Sequence, residues 1–180
     1  MINKITSLLV FFLFVSFCHG QNTDQESLRL LIMGNEDYGL NKAVEFVAEE
    51  MDIDLVRMDI SLSRKTLDSI EAQNAQMWEK LDDKLQLNSK QVFRTRLTEE
   101  NEKIASAEDI YRTDAKAKRL RKKLEKDGIE THAELEKKRA PFIYIYTVYS
   151  LDKSISESAK KPEFHVVVDI KDISSKVEEL

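Results

Sequence analysis

Three groups of side chains in this 180-residue chain have types and spacings suited to chemistry. The first is Asn35-Glu36-Asp37-Tyr38, whose adjacent carboxylates could carry general acid–base work or hold a cation. Carboxylates just before a helix are equally explained by the positive end of its dipole, and no D-x-D-x-D-G loop accompanies them. The second group is the run Lys116, Lys118, Arg119, Arg121, Lys122, Lys123 and Lys126. Such a run can meet an acidic client, anionic lipid headgroups or nucleic acid. Its plain reading is a solvated helix face whose cations find internal partners in Glu125, Asp127 and the acidic remainder of the chain. The third group is His132 and His165. On a helix His132 would share a face with Glu136, but two ligands do not close a zinc site. The chain has no Gly-x-Ser-x-Gly elbow and no glycine-rich phosphate loop.

The amino terminus bears on what remains available. Lys4 precedes the apolar run Ile5–Val15, and Cys18-His19-Gly20 places small residues at −3 and −1 of a cut before Gln21. This is the anatomy of a secretory signal peptide, with acylation of Cys18 as the alternative. Residues 1–20 contain the only Cys, so the exported chain is expected to have no thiolate chemistry and no disulfide. Its compartment is periplasmic or extracellular, or the secretory lumen in a eukaryotic host. Export disfavours nucleic acid as the partner of the basic run. A polypeptide client or protein partner is the first expectation, with weak contact to an anionic membrane surface beside it, and no cofactor is expected.

The elements that position these groups follow from periodicity. Leu28–Met33 is a short apolar run ended by Gly34, Leu40–Met51 repeats with helical spacing, and Ile53–Ile60 alternates. Together they suggest a parallel strand–helix–strand unit. Residues 62–139 carry 19 basic and 16 acidic residues, against 8 and 17 in residues 21–61 and 140–180 combined. Stripes at Leu67, Ile70, Met77, Trp78, Leu81 and Leu85, then at Phe93, Leu97 and Ile104, predict two helices. A third is expected from Ser106-x-x-Asp109 to a stop at Gly128, and a short fourth from Thr131 to Arg139. Pro141 ends the helices, Phe142–Tyr149 and Phe164–Ile170 read as antiparallel strands, and Ser174–Leu180 as a terminal helix. On the first of these strands Tyr144 and Tyr146 share one face. They are core residues if helices cover it, and a peptide-binding surface if it is open.

The order strand, helix, strand, helical region, strand, strand, helix resembles the thioredoxin-like superfamily. Asn35-Glu36-Asp37-Tyr38 falls where that superfamily places its Cys-x-x-Cys, and Ala140-Pro141 where it places a cis-proline. Both motif cysteines are missing, so the resemblance implies a non-redox member that binds extended polypeptide beside Pro141. The charged helices and closing Val-Val-Asp strand also resemble Skp-type exported chaperones. The expected fold is therefore α+β or α/β, a four-stranded sheet in the order β-α-β-(helical insertion)-β-β-α carrying a long charged hairpin. Its divisions are a signal peptide at 1–20, a body at 21–61 and 140–180, and an insertion at 62–139. The expected function is a non-enzymatic protein-interaction or chaperone-like module. Its binding residues would be Asn35, Glu36, Asp37, Tyr38, Pro141, Lys118, Arg119, Arg121 and Lys122. A Skp-like holdase, an unrecognised hydrolase using Glu36, Asp37 and a histidine, and a structural envelope component are the alternatives.

Overall fold

The computed structural model describes residues 28–33, 37–58, 63–152 and 159–180. The signal-peptide segment 1–20 and the loop residues Asn35 and Glu36 lie outside the described residues. The opening unit forms as its periodicity requires. Strands β1 (Arg29–Met33) and β2 (Asp54–Met58) pair in parallel, Arg29 opposite Asp54, and are joined through helix α1 (Tyr38–Glu50). Asp37 is the N-cap of α1, its carboxylate accepting the Leu40 N–H at 3.0 Å. Helices α2 (Arg64–Leu85), α3 (Ser89–Thr113) and α4 (Ala115–Lys126) follow, capped by the side chains of Ser63, Asn88 and Asp114. The chain closes with strands β3 (Glu130–Ala140), β4 (Ile143–Asp152), β5 (Ala159–Asp169) and β6 (Ser174–Glu179). These four form an antiparallel sheet in chain order.

The thioredoxin-like element order is therefore not adopted. The four expected strands do not share a sheet: among the described residues β1 and β2 pair only with each other, whereas β4 and β5 sit in a second sheet. Two segments expected as helices are the outer strands of that second sheet. Residues 130–140 alternate about Thr131, Ala133 and Leu135, and residues 174–179 bury Val177 alone. Each needs only one covered face, so charge elsewhere along it is compatible with an edge strand. The Ala140–Pro141 bond is trans and lies at the exposed turn joining β3 to β4. Strand β4, which follows Pro141, is paired on one side to β3 and on the other to β5, so it offers no open edge to an extended peptide among the described residues. Ser106 likewise caps nothing. Its hydroxyl donates to the Glu102 carbonyl inside α3, which runs on to Thr113, and the break comes at Asp114.

Helix α1 joins two apolar layers. Ala43 and Phe46 face a core shared by α3, α4 and the inner side of the antiparallel sheet, including Leu135, Tyr144, Tyr146, Val148, Phe164, Val166 and Val168. Val47, Ala48 and Met51 face a second core with Leu30, Ile53, Met77, Trp78, Leu81 and Phe93. A helix that meets two cores needs an apolar arc wider than a single stripe, and here Asn41, Lys42, Glu45 and Glu49 occupy the remaining side. Tyr144 and Tyr146 are core residues of the first layer. The opposite face of the sheet has a buried centre too, since Ile145 is only 1 % exposed although it belongs to neither core.

Candidate functional site

The strongest concentration of charge lies where α4 crosses β3. Helix α4 exists because Asp114 bonds in two directions: one carboxylate oxygen accepts the Ala117 N–H at 2.6 Å and the other accepts the Ser175 hydroxyl at 2.6 Å. That fixes the start of α4 against β6. Ala117 is buried, and Leu120 and Leu124 pack onto the first core, so one narrow stripe anchors the helix. The remaining positions are almost all cationic. Six of the seven basic residues of α4 have no carboxylate within 4 Å among the described residues, the exception being Lys116, 3.5 Å from Glu179. The expected internal partners Glu125 and Asp127 pair with none of them. A helix so loaded carries mutual repulsion that only solvent or an external anion relieves.

A cleft of about 570 Å³ opens between the end of α3, the inner side of α4 and the start of β3. Lys118, Arg121 and Lys122 line it from α4, one helical turn apart. Glu108, Tyr111 and Arg112 contribute from α3, and Thr131, His132 and Ala133 from β3. Arg121 donates to the Tyr111 hydroxyl at 3.2 Å, and the Tyr111 ring stacks on Tyr146 with 4.7 Å between centroids. The guanidinium is thus oriented by a neutral phenol, which leaves its charge uncompensated. The Tyr146 hydroxyl is buried with no hydrogen-bond partner among the described residues. Burial, then the negative charge of Glu108, holds that phenol protonated well beyond the usual tyrosine range. On the outer side, Lys118 and Lys122 continue into a shallow groove of about 560 Å³ with Arg119, Lys123 and Lys126.

Two other polar clusters are structural. Glu100 is 2 % exposed and accepts from Tyr144 at 2.7 Å and Lys138 at 2.8 Å, while Lys138 also donates to Glu50 at 2.7 Å. A β-bulge between Leu135 and Lys137 sets Lys138 opposite Tyr144, on the helix side of the sheet, and so makes this network reachable. Burial alone would lower the Lys138 ammonium, but its bonds to Glu100 and Glu50 outweigh that and raise it. On the outer face, Tyr149 donates to Glu136, and Thr147 lies 2.7 Å from His165 Nδ1. Burial acts to raise Glu136, yet the bonds from Tyr149 and Thr147 and the nearby His165 hold it below the usual carboxylate range. Thr147 has no exposed surface, so it cannot serve as a nucleophile.

The sequence-derived candidates are therefore scattered. Asp37 is a helix cap. Tyr38 stands at the first turn of α1, half exposed, and its hydroxyl donates to the Leu135 carbonyl and accepts the Leu135 N–H. Pro141 is in a surface turn, and His165 lies on the outer sheet face. Lys118, Arg121 and Lys122 are brought together, with Arg119 on the adjoining groove. Sequence reasoning did not find the partners supplied from outside α4, namely Tyr111, Arg112, Thr131 and His132. Reading residues 131–139 as helix hid the approach of β3. No group of three or more metal-ligating side chains occurs among the described residues, and no helix there is long and apolar enough to cross a membrane. No protein-family model, curated protein or solved structure matches the chain.

Proposed function

We propose that this chain is an exported, non-enzymatic binding module for polypeptides, and that α4 with the cleft at its foot is the surface that receives an acidic partner. The observation that carries this reading is that six cations of α4 have no carboxylate within 4 Å among the described residues, on a helix pinned at its start by Asp114. Export rests on the apolar run Ile5–Val15 and the small residues at 18 and 20. Long-range attraction by such a ridge raises association rates and weakens with added salt.

Charge reversal tests the reading. Lys118→Glu, Lys122→Glu and Lys126→Glu combined should weaken binding of a polyglutamate peptide by about a hundredfold at low salt, as loss of several close charge pairs implies. The same number of reversals at Arg64, Lys65 and Lys90 should leave it within about threefold. Equal losses from both sets, or none from the first, would contradict the assignment.

A further inference from the structure

We infer that the cleft between α3, α4 and β3 is a site for a phosphate-class dianion, a tetrahedral oxyanion bearing two negative charges. This deepens the reading of α4 as an anion-binding element, but it does not depend on the ligand being part of a polypeptide. The first argument is charge. The cleft is lined by four permanent cations, Arg112, Lys118, Arg121 and Lys122, and by two carboxylates, Glu108 and Glu125. Arg112 is bonded to Glu108, so that pair is internally neutral. The remainder is three cations against one carboxylate, an excess of two positive charges. A phosphate monoester carries close to two negative charges at neutral pH and neutralises that excess, whereas a single carboxylate leaves half of it.

The second argument is direction. A carboxylate presents its lone pairs in one plane and is satisfied by one arginine fork. Here polar side chains line the space from two elements: Lys118, Arg121 and Lys122 from α4, and Thr131 from β3. A group with three terminal oxygens can use donors on two walls at once. The third argument is preorganisation. Arg121 is steered by Tyr111, itself stacked on the buried Tyr146, so the fork is held without a competing acid. A volume of about 570 Å³ accommodates a phosphate together with the residue that bears it.

The test is calorimetric titration of the full chain with inorganic phosphate, with a phosphoserine peptide and with its unphosphorylated form. Phosphate should bind one to one, and Arg121→Ala should weaken it at least about tenfold, the worth of one charged hydrogen bond. Tyr111→Phe keeps the ring stack and frees the guanidinium, so it should weaken phosphate severalfold even if Arg121→Ala fails to fold. Glu125→Gln removes the one unpaired carboxylate and should tighten it. Phosphopeptide binding stronger than inorganic phosphate would support the site with a partner-borne source. Equal binding of the two would support it with free phosphate as the source. Phosphate binding with no affinity for polyglutamate would keep the cleft and reject the acidic-polypeptide reading. No phosphate binding by the folded parent chain, or binding indifferent to both Tyr111→Phe and Glu125→Gln, would overturn the inference.

Discussion

Single residues decide how this molecule responds to pH. Glu100 and Lys138 form a nearly buried pair completed by Tyr144 and Glu50, with the more exposed Lys103 ammonium 3.5 Å from Glu100. Lys138→Met should therefore cost less than the about 3–5 kcal/mol of a fully stranded buried charge, because Lys103 stays beside Glu100, and Lys138→Met with Lys103→Met should bring the loss into that range. Denaturant midpoints of the parent and both variants check this. The linkage sign follows from two raised groups. Tyr144, ordinarily near 10.0, is raised by burial and then by its bond to Glu100, and Lys138, ordinarily 10.5, is raised by its two carboxylates despite burial. Stability from this network is complete below the ordinary values and is lost as the pH rises through the folded ones. Midpoints should fall above pH 10, with a shallower fall in the Lys138→Met protein. Tyr149, pushed up to about 12 by its bond to Glu136 and by burial, adds to the same slope. A second residue-scale effect is backbone strain. Ile173 has φ +48° in the turn between β5 and β6 and is almost fully exposed, so Ile173→Asn should stabilise by about 1 kcal/mol. A lowered thermal midpoint for that variant would contradict the argument.

At the scale of elements, the short sheets are protected at particular edges. Asn74 on α2 bonds both the N–H and the carbonyl of Leu31, at 2.9 and 2.8 Å, and so occupies the free edge of β1. Tyr38 does the same for Leu135 on β3. Exposed edges template association, so Tyr38→Phe combined with Asn74→Ala should make apparent mass rise more steeply with concentration than in the parent chain. Light scattering across a dilution series reads this directly, and identical curves would remove the protective role. These contacts explain what was legible in the sequence. The β1–α1–β2 unit, the helix over 64–85 and the helix that begins at Ser89 carry periodic apolar stripes that local pattern alone reveals, whereas the break at Asp114 was expected at Ser106. The outer strands β3 and β6 do not. Their residues are rich in Glu and Lys, which favour helix locally, and the bulge after Leu135 breaks the alternation that would betray a strand. The pairing of β3 with β4 is a tertiary fact, and it overrides propensity.

Across the whole molecule, charge is segregated. Helix α4 presents cations on a chain of net charge −5, and the acidic excess lies elsewhere. The basic run was visible in the sequence, but that six of its seven cations have no carboxylate within 4 Å among the described residues was not, since that depends on how the fold places the acidic side chains. The site is likewise half legible: Lys118, Arg121 and Lys122 share a helix face by spacing, whereas Tyr111, Thr131 and His132 reach it only through the helix break at Asp114 and the sheet that follows. The most direct test of the central claim is amide chemical-shift mapping of the chain during titration with polyglutamate. The expected result is a set of salt-sensitive shifts confined to residues 112–126 and 131–133. Shifts centred on the outer face of the antiparallel sheet, or none at low salt, would contradict the assignment of α4 as the binding surface.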